Sequence, residues 1–363
     1  MATSAAGLFP DITGRFAAAD VPFLRRARLR AERTRPYAGM TVLHNVPLTA
    51  ETMCKIEVLA LGGAELVVTS PSFMAPDPQC VEALGAAGVE FRREYRFPEE
   101  FDVVLDCGGE LQPLVAPRMG VGELTGTGTR RYRAACPAYP VIAVDESRVK
   151  DLEASLGTGR AFLHALRRLV REPIDGRPFL VFGYGKVGRG IVRALAPHTD
   201  RVGVVDVDPG ALAAAAAAGC DAMPAGERDR VAAWARQAFA VVTATGTPGV
   251  VTKGYEVAAF LGAHLANMGG EDEFGDAFAA GDVLCGKQPV NFSVSDPGLV
   301  RYLDPVFHAH NLVVDVLSHA RHRPGVQPFP DFLADEIVDC WQRVFGEDLD
   351  AEPDLRRVDR RPA

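Results

Sequence analysis

Short apolar runs separated by helix-length stretches recur along this chain. Thr41 to Val46, Leu66 to Thr69 and Phe101 to Leu105 are compact apolar runs, the pattern of short buried strands. Between the first two, Glu51 to Leu61 has helical spacing, with Met53, Ile56, Val58, Leu59 and Leu61 as its apolar part. Pro78 to Ala87 reads as a second helix. The alternation returns with a helix from Arg160 to Arg171, a turn at Pro173 to Gly176 and a strand at Phe179 to Phe182. Further strands follow at Val202 to Val205, Ala240 to Thr245 and Ala263 to Met268, with an alanine-rich helix at Ala211 to Ala218. Two helices, Asp304 to Arg321 and Phe332 to Phe345, come last, and Asp350 to Ala363 reads as a charged tail that frays. No internal repeat interrupts the pattern. Strands alternating with helices predict an α/β layer structure with a parallel sheet. Ligands in such sheets bind beyond the C-terminal strand ends, where Thr49 and Cys107 fall.

The sharpest local pattern is Phe179 to Gly190, in which Gly183, Gly185 and Gly188 have the spacing G-x-G-x-x-G. A strand precedes the glycines, a helix from Val187 to Leu195 follows, and the next strand ends at Asp206. The glycines permit a tight turn and close approach of backbone to a pyrophosphate at a helix N-terminus. Asp206 is placed to accept hydrogen bonds from a ribose diol, which favours NAD over NADP.

Length and charge narrow the classes. A chain of 363 residues suits about two domains. Its net charge of −8 argues against a nucleic-acid or anionic-membrane surface. The basic run Arg25 to Arg30 is interleaved with apolar residues and reads as the solvated face of an amphipathic helix. No span has the ~20 apolar residues a bilayer crossing needs. The N-terminus lacks the pattern of a signal peptide. Seven scattered cysteines without a CxxC pair suit reduced thiols in a cytoplasm. His308, His310, His319 and His322 lack a thiol or carboxylate at familiar ligand spacing, so no metal is expected.

The chain resembles the S-adenosylhomocysteine hydrolase family over nearly its whole length. The resemblance is carried by Leu48 to Thr52, Leu61 to Glu65, Leu105 to Gly109, the Thr125/Thr127 segment, Ser147 to Lys150, Gly183 to Gly190, Asp206 to Pro209, Val242 to Gly246, Asn267 to Gly269 and Val290-Asn291. It implies two Rossmann-like, doubly wound parallel-sheet domains. Residues 1–150 with 310–345 would bind substrate, 151–309 would bind NAD, and 346–363 would form the tail. It also implies a homo-oligomer, dimer or tetramer, and a retained NAD that oxidises the 3′-hydroxyl of a nucleoside. The ketone makes the 4′ C–H acidic, a base removes that proton, and the 5′ substituent leaves.

In this resemblance Lys150 is the base. Thr49 and Glu51 match residues that hold an adenine ring, and Ser155 falls in an Asp-Asn pair close to the base. Thr125 and Thr127 match cofactor-binding threonines, and Asn291 an asparagine near the nicotinamide carboxamide. Gly183, Gly185, Lys186, Val187, Gly188, Asp206, Thr245, Gly246 and Met268 complete the expected cofactor site. The departures are concentrated. Pro47 and Gly270 replace histidines, Ala154 and Ser155 replace the Asp-Asn pair, and Cys107 replaces an aspartate acid/base near the 5′ position. Asp296 lies near a further family histidine. Glu123 and Leu124 fall where the family has paired acids. Ungapped, Leu124 takes the place of the acid that touches the ribose, and a one-residue slip gives that place to Glu123. These changes favour a sibling reaction on an adenine-type nucleoside, loss of water to a 4′,5′-ene as in some nucleoside antibiotics. A divergent hydrolase and a non-catalytic NAD-binding regulator are the alternatives.

Overall fold

The computed structural model describes residues 7–292 and 297–357. Asp296 therefore lies outside the described residues. The chain divides into two compact units, residues 1–152 with 300–347, and residues 153–299 with 348–363.

The first segment carries strands β1 (Thr41–Asn45), β2 (Glu65–Thr69), β3 (Glu90–Phe91), β4 (Val103–Asp106), β5 (Gly120–Glu123) and β6 (Pro140–Ala143). Its helices are α1 (Pro10–Thr13), α2 (Pro22–Thr34), α3 (Ala50–Leu61), α4 (Pro78–Ala86), α5 (Gly126–Ala135) and α6 (Arg148–Asp151). The middle segment carries β7 (Phe179–Phe182), β8 (Val202–Asp206), β9 (Asp221–Pro224), β10 (Ala240–Thr243) and β11 (His264–Asn267). Its helices are α7 (Thr158–Val170), α8 (Lys186–Leu195), α9 (Pro209–Ala217), α10 (Arg228–Gln237) and α11 (Val250–Gly254). The chain then returns to the first unit with α12 (Val300–His319), β12 (Gly325–Pro328) and α13 (Asp331–Phe345).

Both sheets are parallel throughout. The first runs β12-β6-β5-β4-β1-β2-β3 and the second β11-β10-β7-β8-β9. In each, chain order reverses at one place, between β1 and β4 in the first unit and between β7 and β10 in the second. Ligand crevices form at such reversals, outside the carboxyl ends of the strands.

One face of the first sheet packs Leu43, Val104, Val121 and Val141 with Phe101 and Tyr132. The other face meets α12, because a Cβ on Gly122 would lie 3.0 Å from the His310 ring. Gly122 is paired with Leu105, and Leu105 with His44, so His44 shares that face. The second unit buries Phe179, Val181, Val202 and Val204 with Ile191 and Val192 of α8.

Two sequence expectations change. The unit boundary falls at Val300 and not at 310, since α12 is one helix from that residue. The segment after 348 is not a frayed tail as far as Arg357. Leu355 is 1% exposed in the core of the second unit, and its amide donates to Ala218 O at 2.9 Å. Arg193 donates to Leu349 O at 3.1 Å.

Candidate functional site

In the first unit the reversal between β1 and β4 gathers the ends of four strands. Thr69, Asn45, Asp106 and Glu123 are in register across β2, β1, β4 and β5, and all four are fully buried. Asn45 Nδ2 donates to Asp106 Oδ1 at 2.8 Å, and Tyr132 OH donates to Asp106 Oδ2 at 2.8 Å. Burial pushes both carboxyls up from the usual range, and for Glu123 the Asp106 charge adds to it.

This row fixes the loop that follows β4. Glu123 Oε1 accepts from Gly108 N at 3.0 Å and Glu123 Oε2 from Gly109 N at 3.1 Å. Thr125 adds its amide and its hydroxyl to Glu123 Oε1, each at 2.7 Å. Glu123 is thus a buried brace for the glycine loop. Thr125 shares in the brace. Its hydroxyl also accepts from Gly108 N at 3.0 Å and Gly128 N at 3.1 Å, so its one donor and both acceptors are engaged. Thr127 is exposed, with its hydroxyl accepting from Arg130 at 3.3 Å.

Cys107 stands at the head of the braced loop, 5% exposed. Thr49 is the N-cap residue of α3 and Glu51 lies in its first turn, half-buried. They follow β1, the strand beside β4, so Thr49, Glu51 and Cys107 belong to the same crevice. Lys150 sits on α6 in the same unit and is 7% exposed, with its amide on Ser147 O at 3.1 Å. It lies close enough to His310 for its charge to act on that ring. Ser155 belongs to the second unit, in a π-helical stretch, Leu152–Gly157, where a Cβ on Gly190 would come within 1.8 Å of Ser155 O.

The reversal in the second unit carries the glycine motif. Gly183 has φ +90°, and a Cβ on Gly188 would lie 1.9 Å from Gly183 O, so strand and helix meet there without side chains. Gly185 is the N-cap of α8 with no side-chain cap, and a Cβ on it would meet nothing within 4 Å. Lys186 is exposed and Val187 half-buried in the first helical turn. Asp206 accepts from Tyr184 N at 2.6 Å and from Val207 N and Asp208 N at 2.7 and 2.9 Å. It therefore ties the glycine turn to the end of β8. Across the reversal, Thr245 and Gly246 donate their amides to Glu273 at 2.8 and 2.6 Å. Glu273 is fully buried and its carboxyl is pushed up by that burial. Its place was not legible in the sequence, because Glu271-Asp272-Glu273 looks like a solvated acidic run. Met268 directly follows β11 and is 7% exposed. Asn291 Oδ1 is buried with no hydrogen-bond partner among the described residues.

A dinucleotide fits these residues. The open side of Gly185 leaves room for a pyrophosphate at the N-terminus of α8, and the Asn291 oxygen, with no partner among the described residues, suits a carboxamide N–H. The sequence profile described as "S-adenosyl-L-homocysteine hydrolase, NAD binding domain" matches residues 155–276. Over 275 residues the chain is 31% identical to an adenosylhomocysteinase from Thermotoga maritima, covering 69% of this chain and 67% of that protein. The chain belongs to the S-adenosyl-L-homocysteine hydrolase family. NAD is its cofactor, held in the second unit. Among other members, an S-inosyl-L-homocysteine hydrolase from Methanopyrus kandleri is 31% identical over 275 residues, covering 69% of this chain and 63% of that one. The chain thus spans about two thirds or less of the length of these relatives. In structure it is similar to a dipicolinate synthase from Bacillus halodurans, with a TM-score of 0.49 and 15% identity, covering 78% of this chain and 99% of that one.

Among the described residues no group of three or more His, Cys, Asp or Glu side chains could hold a metal. No described helix is long and apolar enough to cross a membrane.

Proposed function

We propose that the chain eliminates the 5′ substituent of a purine nucleoside by way of a 3′-ketone. NAD, when bound, supplies the oxidation of the 3′-hydroxyl and its later reduction. The observation that carries the reading is the burial of Lys150. A lysine held at 7% exposure on α6 is not a solvated surface lysine, and NAD binding alone does not need one. In this reading Lys150 Nζ takes the 4′ proton. Thr49 and Glu51 hold the base, which relatives named for adenosyl and inosyl substrates leave as adenine or hypoxanthine. The braced loop at Gly108 and Gly109 keeps Cys107 fixed beside the 5′ position.

The relatives favour homocysteine thiolate as the leaving group, and thioether hydrolysis is therefore the first reading. A second reading, loss of water to leave a 4′,5′-ene, is favoured by one observation. Cys107 stands where the family resemblance places a carboxylate, and the buried acids beside it are engaged, Asp106 with Asn45, Tyr132 and the Cys107 and Leu111 amides and Glu123 with loop amides. The test is incubation of the purified protein with S-adenosylhomocysteine, S-inosylhomocysteine and a panel of purine nucleosides. Thiol release supports hydrolysis, and loss of one water from a nucleoside with no net NAD consumption supports dehydration. Absence of both sinks the elimination reading. Shared function as a homo-oligomer is part of the same proposal and is read from the mass of the particle in solution.

A further inference from the structure

In the second unit one buried carboxylate has no part in the elimination reading. Glu273 is fully buried, and among the described residues no cation pairs with it. Its neighbour Asp272 takes the Lys287 ammonium instead, at 2.8 Å. The donors on Glu273 come from two consecutive residues of the loop after β10. Thr245 N and Thr245 Oγ1 each reach Oε2 at 2.8 Å, and Gly246 N reaches Oε1 at 2.6 Å. Thr247 N donates to Thr245 Oγ1 at 3.1 Å, which leaves the hydroxyl hydrogen for Glu273. Backbone amides only donate, so this setting favours the carboxylate over the acid. A buried charge without a cation is costly to a fold. Here the whole of it bears on one loop.

The carboxylate is itself held in place. Asn267, 1% exposed at the end of β11, donates from Nδ2 to Glu271 O and Lys287 O, both at 2.8 Å. Its Oδ1 accepts from Thr243 Oγ1 at 3.0 Å. Gly269 leaves the space that the carboxylate fills, since a Cβ there would lie 1.9 Å from Glu273 Oε1. The clamped loop also abuts the glycine turn. A Cβ on Gly183 would lie 2.5 Å from Ala244 O and 3.2 Å from Thr245 Cα. Gly246 has φ +68°, and a Cβ on it would meet nothing within 4 Å, so the loop has an open side, as Gly185 does. β10 and β8 flank β7 on opposite sides. A dinucleotide laid across the reversal has its adenosine half on the β8 side, where the acid after that strand stands, and its nicotinamide half on the β10 side.

We propose that Glu273 is a positioning residue for the nicotinamide half of NAD, holding Thr245 and Gly246 in their binding shape before the cofactor arrives. The loop is ordered on folding and not on binding, which tightens the cofactor without Glu273 touching it. The proposal rests on NAD binding in the second unit and is independent of the elimination reading.

Two measurements on the full-length chain, freed of nucleotide, test it. The first compares NAD with ADP, which lacks the nicotinamide half. Glu273→Gln keeps the side-chain shape but turns an amide N–H toward a backbone N–H. It is expected to weaken NAD about 10-fold or more and ADP by less than about 2-fold. Should Glu273→Gln fail to fold, Thr245→Val removes one donor and no charge, and is expected to show the same contrast at about 3-fold. Equal weakening of both nucleotides assigns Glu273 a general structural role and overturns the proposal, as does unchanged NAD affinity. The second reads NAD affinity alone. Gly269→Ala places a methyl where the carboxylate lies, so it is expected to weaken NAD about 10-fold in the wild-type background and by less than about 2-fold in Glu273→Ala, where that space is empty. Equal losses in the two backgrounds overturn the proposal. None of these outcomes depends on whether a nucleoside is turned over.

Discussion

Asp304 Oδ1 accepts the amide hydrogen of Leu24 at 2.9 Å across 280 residues of sequence. The second oxygen takes Phe23 N at 2.8 Å, so a carboxyl on α12 closes the first turn of α2. Burial pushes this carboxyl up to about 7 against the two amides that favour its charge. A folded-state value above the unfolded one means that the folded protein holds the proton more tightly. The contribution to stability is fully present below about pH 4 and is lost as pH rises through about 7. Asp304→Asn is expected to flatten the pH dependence over that window by about 4 kcal/mol or less. Urea unfolding at intervals from pH 4.5 to 7.5 reads it, and an unaltered slope refutes it.

Lys150→Ala is expected to lower turnover by about 10²–10⁴-fold while bound NAD stays at the wild-type level. Nucleotide released on denaturation gives the NAD content. Turnover within a few-fold of wild type would remove Lys150 from the chemistry.

Two glycines of one motif should respond in opposite ways. Gly185 faces open space, so Gly185→Val is expected to shift the stability of the NAD-free protein by about 0.5 kcal/mol or less while weakening NAD at least about 10-fold. Gly188 faces the Gly183 carbonyl, so Gly188→Ala is expected to cost about 1–3 kcal/mol even without NAD. Denaturant midpoints and NAD titration separate the two, and identical behaviour would contradict the assigned geometry.

Leu355 packs with the core of the second unit. Leu355→Ala is expected to destabilise that unit by about 2–5 kcal/mol. A calorimetric trace in which neither transition moves would show that residues 348–357 are not part of the unit.

The sequence reveals the strands at both reversals because Val, Leu, Ile and Phe accumulate where strands are covered on both faces. It conceals β5, whose Gly120 and Gly122 make room for Leu317 and His310 of α12. It also conceals β6, which opens on Pro140, and the edge strands β9 and β12. The glycine motif and Asp206 are legible because backbone geometry restricts which residues can stand there. Lys55 and Glu57 are not, because α3 is buried on nearly every side from Thr52 to Leu59. A helix so enclosed has no solvated face, and its polar members read wrongly as one. Glu123 and Glu273 are obscured in the same way, since a carboxylate in a sequence suggests water or chemistry, when both of these hold loop amides.

The return of the chain to its first unit at Val300 has a consequence for the order of synthesis. A ribosome that has finished residue 152 has made six of the seven strands of that sheet, but neither α12 nor β12. Asp304, His310 and Asn311, which close α2, Gly122 and Lys55, are still to come. The nascent first unit must therefore wait, its α12-facing side open, while about 150 residues of the second are made. The second unit in turn lacks Leu355 until the chain has passed through all of α12, β12 and α13. Neither unit can finish before the other is nearly complete.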